Sequence, residues 1–461
     1  MTIESLRSQP AANSPLYADP SPFALHIIII GCGIGGLAAA LTLSHALPQS
    51  QITVLEAAQA LTNVGAGIVV SPNASRLLIR WGLGPALADT AVRPEGIVFR
   101  RYATGERVGY SRWAERIERA HGAPYLQIHR ADYHTLLHGL VAARPNVTIR
   151  LAAAVAEVQP EPGVEGGPSV TLKGGEVLEG RPCHRRGWRQ EQAYRMIIPT
   201  EKMMPDPDLR SFVETPEMTA WMAPNRHLMA YCISGRREYN FVLLHPDDGS
   251  VESWTAEGDV EKMREQFADF EPRVQKLMSF VSSTLRWRLM DRAPLDRWIH
   301  PGGRVALLGD ACHAMLPYRG QGAAMAVEDA AVLGSLLSHL RSLDQLPTFL
   351  QAYECLRSAP AVHGDTTVVE PESTDLSHGG RTRAGGERCG YAAGDGDRDS
   401  SREGIVVSQL PPPPVGMDDP CKGNPNQWAD RSKNEGLFSY DADKEAEKWW
   451  MGVGRALLEK S

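Results

Sequence analysis

No stretch of this 461-residue chain approaches the roughly 18 uncharged apolar residues that a membrane-spanning helix needs. The opening MTIESLRSQPAANSPLYADPSPF has no apolar centre of the kind a secretory leader carries, so residues 1–24 read as a tail without periodicity. A basic stripe is also missing. Lys and Arg are scattered and the formal net charge is −7, which leaves no electrostatic footprint for nucleic acid. The cysteines are few and odd in number: seven, at 32, 183, 232, 312, 355, 389 and 421, with no C-x-x-C spacing. That pattern offers neither a disulfide framework nor a zinc site, and it places the chain in a reducing cytoplasm. What remains is 43% apolar residues, enough to bury a full core, at a length that suggests two or three domains.

The core begins with ALHIIII, a continuous apolar run of the sort found in a parallel strand covered on both faces. It ends in glycines that open the apolar helix GLAAALTLSHAL, and QITVLEA follows as a second buried strand. Strand, helix and strand together form one right-handed crossover unit. Farther on, ADYHTLLHGLVAA has helical spacing, NVTIRLAAAVAEVQP reads as a strand, and PSVTLKGGEVLEG adds another beyond a glycine turn. From Gln192 the texture turns antiparallel, with HLMAYCISGRREYNFVLLHP folding as a hairpin about Ser234–Arg237. Residues 357–414 carry almost no periodic apolar residues and are expected to be disordered, whereas 415–461 regain a helical pattern.

Chemistry enters at Gly31-x-Gly33-x-x-Gly36, between the first strand and its helix. Backbone N–H groups and the helix dipole make that turn an anion site, and a side chain there would block the close approach of a diphosphate. Glu56 closes the second strand twenty residues after Gly36, where a carboxylate can accept hydrogen bonds from ribose hydroxyls. The reading is a dinucleotide site; the glycines alone do not choose between NAD and FAD. A second apolar run, RVALLGDACHAMLPYRGQGAAMAVEDA, passes through a lone aspartate, a proline and nearby glycines into an Ala-rich helix. Its helix start is bare of side-chain caps and suits an anionic ring. His129, His134 and His138 have no Glu or Cys at ligand spacing, so no metal site is read there.

NVGAGIVVSPNASRLLIRWGL, LQIHRADYHTLLHGL and GDACHAMLPYRGQGAAMAVEDA occur in the order that resembles the group A flavin monooxygenases, in particular their fungal salicylate hydroxylase-like branch. The resemblance covers about residues 25–179, 191–356 and 423–450. It implies an α/β fold: a Rossmann-like FAD-binding domain (25–98, 122–180 and 285–356) with a smaller antiparallel-sheet substrate domain (99–121 and 191–284) and a C-terminal helix. It further implies that Asp310, Pro317, Gly322 and Ala323 hold FAD, that Arg130 reaches the cofactor, and that Gly67 and Val69 line its isoalloxazine ring. NAD(P)H would reduce the FAD, and O2 would supply the hydroxyl placed on a small aromatic substrate. Arg195 in QAYRMIIP and Tyr231 in HLMAYCISG stand where relatives carry a pair that holds a phenol as its phenolate.

The resemblance lapses twice. Relatives carry an apolar strand and a Gly-Ala-Asp-Gly motif where this chain has GRPCHRRGWRQEQ, and a basic helical sequence where it has irregular residues from 358 to about 402. A shifted reading frame or mis-spliced transcript would leave such abrupt changes, and sequencing the transcript tests that origin. The reading is therefore an FAD-dependent hydroxylase of secondary-metabolite biosynthesis. Its rivals are a flavin-dependent oxidase or halogenase, and a remnant that binds flavin without turnover.

Overall fold

The computed structural model describes residue 6 and residues 16–61, 65–160, 168–179, 191–246, 256–289, 295, 297–358 and 431–458. The expected disorder of 357–414 lies outside these from residue 359 on, and so does the segment 180–190 that replaces the Gly-Ala-Asp-Gly motif.

The first strand, His26–Ile30, pairs in parallel with Gln51–Leu55, which pairs in parallel with Val147–Arg150. Between the first two runs the helix Ile34–Ala46, almost wholly buried, as its apolar composition requires. Against it lies the long helix Gly322–Ser338. Small residues bring the two together: a Cβ on Gly35 would stand 3.1 Å from that of Ala326, and Thr42 Oγ1 donates to the Ala330 carbonyl at 2.7 Å. On its other edge His26–Ile30 has no strand partner among the described residues. A cavity runs along that edge from Leu25 to Ile30 and is closed on the far side by Arg304, Ala306 and Leu308. Among the described residues, the pairing of the apolar run that leads to Asp310 is limited to a bridge between Ile299 and Ala306.

The largest sheet among the described residues has eight strands, in the order Ala256–Gly258, Thr284–Leu289, Glu191–Pro199, Glu238–Pro246, Arg226–Ile233, Met218–Ala223, Gly96–Arg101, Arg107–Arg112. Every neighbouring pair is antiparallel except Met218–Ala223 with Gly96–Arg101. Side chains alternate between its faces. Tyr194, Trp221, Tyr239 and Phe241 point to one face and bury against the helices Pro207–Glu214, Val260–Gln266 and Pro272–Ser279. The opposite face looks toward the crevice.

Several expectations change. Leu285–Leu289, assigned to the cofactor domain, pair with Glu191–Arg195 and extend the large sheet, and Gly96 joins that sheet ahead of residue 99. NVTIRLAAAVAEVQP is two strands, Val147–Arg150 and Val155–Gln159, in different sheets, because Ala152 takes a left-handed φ of 54° between them. The tail assigned to 1–24 is packed where described: Leu16, Tyr17 and Phe23 lie against the core, and buried Ser21 Oγ donates to the Leu340 carbonyl. Arg357, placed at the edge of the irregular segment, is instead fully buried in the helix Leu346–Ser358.

The helices Arg431–Ser439 and Ala442–Trp449 fasten the C-terminal segment. Arg76 donates to the carbonyls of Phe438 and Tyr440, and Arg80 forms a two-point ion pair with Asp441. No helix of the described residues is long and apolar enough to cross a membrane.

Candidate active site

One cavity of about 830 Å³ opens between the glycine turn and the large sheet. Of the residues singled out in the sequence, Gly31, Gly33, Gly36, Gly67, Val69, Arg130, Arg195, Tyr231, Asp310, Pro317, Gly322 and Ala323 all line it. Glu56 does not. Its carboxylate sits behind the turn, accepting from the backbone N–H of Cys32 and of Ala58, each at 2.9 Å.

The cofactor side is made of backbone. Gly31 takes φ 102°, a conformation that side chains resist, and a Cβ on Gly36 would fall 2.0 Å from the Gly31 carbonyl oxygen. At Gly33 a Cβ would meet nothing within 4 Å, so the turn is open on the side an anion would approach. The helix that follows has no side-chain cap and no acidic residue in its first turn. The start of Gly322–Ser338 is equally bare. These are donors without protein acceptors at two helix mouths facing one cavity. A third wall comes from Gly67–Val70, and the loop at Gly320 fits against it so closely that a Cβ would reach within 2.2 Å of Val69 Cγ2. Such cradles fit a flat, phosphate-bearing group like FAD.

The floor is made of side chains in register. Trp287, Ala193, Leu244 and His227 form one row across four strands; Arg195, Val242, Met229 and Ala220 form the next; Ile197, Asn240, Tyr231 and Met218 form a third. Arg195 and Tyr231 therefore sit in adjacent rows on one face. Arg195 stacks on Trp287 at 4.2 Å, and its Nε has no hydrogen-bond partner. Burial pulls the Arg195 guanidinium below its ordinary pKa, Tyr231 opposes that, and Arg130 adds to it. Burial pushes the Tyr231 phenol above its ordinary value, and the Arg195 charge works against the rise. Burial also takes His227, whose ring lies 5.6 Å from that of Tyr318, down to about 4. A desolvated cation beside a phenol is an arrangement that favours an anionic oxygen on a bound ring.

Asn240 joins floor to crevice, its Oδ1 accepting from Gly67 N–H at 2.7 Å. Trp287, His227 and Asn240 escaped the sequence reading. Alternation within TLRWRL, RHLMAYCI and EYNFVLLHP would have put them on the Arg195 face, but only after the strand register was known. His129 caps its own helix through Ala131 N–H, and His134 Nε2 lies 2.6 Å from the Cys32 carbonyl oxygen. Cys312, His313 and Asp329 bring possible ligand atoms within 4.8 Å of one another. Their atoms are already engaged: His313 Nε2 meets Asp329 Oδ2, Cys312 donates to the Gly309 carbonyl, and the cation of Arg357 lies on Asp329.

Comparison with known proteins gives the same answer from another direction. The family profile described as "FAD binding domain" matches residues 190–363. The chain is 34% identical over 355 residues to the FAD-dependent monooxygenase OpS4 of Beauveria bassiana (strain ARSEF 2860), covering 72% of this chain and 81% of that one. It is 30% identical to the 6-hydroxynicotinate 3-monooxygenase of Pseudomonas fluorescens, over 68% of this chain and 83% of that one. Among solved structures it resembles a salicylate hydroxylase substrate complex, with a TM-score of 0.59 at 22% identity, covering 74% of this chain and 85% of that one.

Proposed function

Because this chain belongs to the FAD-dependent monooxygenases, we propose that it hydroxylates a small phenolic aromatic, with NAD(P)H as reductant and O2 as the source of the new hydroxyl. The single observation that carries the substrate half is the placing of half-buried Arg195 and buried Tyr231 in adjacent rows on the cavity floor. A relative named for 6-hydroxynicotinate supports a hydroxylated ring as the substrate class.

In this reading Gly31, Gly33 and Gly36 receive the diphosphate, Asp310 faces the ribityl chain, and Pro317, Gly322 and Ala323 offer backbone to the ring system. Glu56, outside the cavity lining, braces the glycine turn by accepting from the N–H groups of Cys32 and Ala58. FAD, when bound, supplies the redox and oxygen chemistry; the protein supplies the rest. Arg195 orients the phenol by its oxygen and lowers that oxygen's pKa, since a full positive charge in a dry pocket stabilises the phenolate. Tyr231 donates a hydrogen bond to the same oxygen, and an electron-rich phenolate ring accepts an electrophilic hydroxyl most readily. Trp287 and Met229 flank the ring site, and Val242 and Leu244 keep water away from it. Arg130, at the start of the helix Arg130–Ala142, adds a second cation to the cavity wall.

We assign the enzyme to the cytosol, where its free cysteines stay reduced, and to biosynthesis of secondary metabolites. The test is a screen of phenols for stimulated NAD(P)H oxidation, with product mass read in parallel. Consumption of reductant and O2 with a product one oxygen heavier is expected. Bound flavin with no stimulated turnover by any phenol would favour the remnant, and chlorinated or dehydrogenated product would favour the rival chemistries.

A further inference from the structure

Behind the cavity, out of reach of any substrate, runs a chain of buried polar side chains that the reaction does not use. Asp329, fully buried, accepts three bonds: from Gly309 N–H at 2.9 Å, from His313 Nε2 at 2.7 Å and from Arg357 Nε at 2.7 Å. Arg357 Nη2 donates to Glu328 at 2.7 Å, and Glu328 accepts from Asn73 Nδ2 at 2.6 Å. Asn73 Nδ2 also donates to Gln321 Oε1 at 3.1 Å, and Gln321 Nε2 donates to Ser71 Oγ at 3.0 Å. The ring of Tyr440 stacks 5.1 Å from the Arg357 guanidinium carbon and closes the outer end.

What matters is where the chain of bonds ends. Gly309 (φ 63°) is the turn that delivers Asp310 into the cavity, and His313 closes the short helix Asp310–His313. Gln321 is the residue on which the bare helix start at Gly322 begins. Ser71 and Asn73 follow directly on the strand Gly67–Val70. Three separate walls of the cofactor cradle are thus bound to one another from behind, by groups of which none is more than a few per cent exposed except His313 at 8%. Buried charges are costly to leave unpaired, so a cluster this dense fixes positions sharply. Burial works to raise the Asp329 carboxyl, and His313 and Arg357 outweigh it, leaving the group ionised.

We propose that Asp329 is a positioning residue for the cofactor: through Gly309 and His313 it sets the turn presenting Asp310, and through Arg357, Glu328 and Asn73 it locks that turn to the helix start at Gly322. The proposal rests on the FAD reading of the cavity. It predicts that the network governs how the flavin sits, beyond whatever it adds to stability.

The experiment compares the full chain with Asp329→Asn and with Asn73→Ala, the latter removing one donor to Glu328 while Arg357 still pairs that carboxylate. Each is measured for FAD dissociation constant by fluorescence quenching, for the visible circular dichroism of bound flavin, and for flavin midpoint potential. Far-UV circular dichroism and thermal melts of the apo forms serve as the measure of folding. Asp329→Asn is expected to weaken FAD at least about tenfold and Asn73→Ala about threefold, because Asp329 anchors three donors whereas Glu328 keeps Arg357 when Asn73 is lost. Both should shift the visible dichroism and the potential. If Asp329→Asn does not fold, Asn73→Ala decides. Folded variants with wild-type FAD affinity, dichroism and potential, changed only in melting temperature, would reduce the network to a structural brace and overturn the proposal. A wild-type chain that folds but binds no FAD would sink the underlying reading instead, and is told apart because the variants are then not needed to see it.

Discussion

The two sides of the cavity recognise by different means. The crevice side presents the uncapped helix starts at Ile34 and Gly322, approached through glycines at which a side chain would clash or crowd the turn. The floor presents Arg195, Tyr231, Trp287 and His227, side chains brought into neighbouring rows by the pairing of strands far apart in sequence. A backbone cradle suits a cofactor that never varies, because it tolerates few substitutions. A side-chain floor can be changed residue by residue without touching the cradle, and in the proposed reading it is where substrate choice would reside.

Breaking the cradle should have the largest effect. Gly36→Ala places a Cβ 2.0 Å from the Gly31 carbonyl, a backbone atom that cannot swing away, and FAD affinity should fall by about a hundredfold or more, read by fluorescence quenching. Breaking the floor should spare the cofactor. Arg195→Met should leave FAD binding and melting temperature near wild type, since an unbranched apolar side chain fills the same half-buried place on the sheet, yet cost about a hundredfold in kcat/KM for phenols. Equal loss of FAD affinity in that variant would show that floor and cradle are not separable.

Tyr231→Phe removes a single hydrogen bond and should cost about tenfold in kcat/KM, most of it relieved at alkaline pH, where the substrate ionises unaided. The smallest expected effect concerns acid. His227 has its pKa lowered from 6.5 to about 4 by burial, so the fold holds it neutral while the unfolded chain protonates it. Stability should be full above pH 6.5 and decline as pH falls toward 4, by about 1–2 kcal/mol from this group, allowing for its exposure to the cavity. His45, likewise lowered to about 4 by burial and Arg144, contributes separately. Urea denaturation at pH 7 and pH 4.5 should show a smaller acid loss in His227→Gln than in wild type.

The same division decides what could be read from the sequence. The glycine turn was legible because glycine spacing and the flanking apolar runs are local signals, each with its own steric cause; the acid twenty residues on, Glu56, proved to brace the turn from outside the cavity. The floor was legible only in part. Arg195 and Tyr231 came from likeness to relatives, whereas Trp287 and Asn240 depend on register between strands as distant as Glu191–Pro199 and Thr284–Leu289. That His26–Ile30 has one edge without a strand partner among the described residues was not anticipated, since an edge is a property of what is absent beside a strand. Tyr17 and Ser21 were misjudged because composition says little about a few residues that dock singly between core helices.

The most direct measurement is a titration of the purified full chain with FAD, followed by flavin absorbance and fluorescence. Saturation at one FAD per chain, with a shifted visible band, is the predicted result. A folded, monodisperse chain whose added flavin stays fully fluorescent and passes freely through a desalting column would contradict the account.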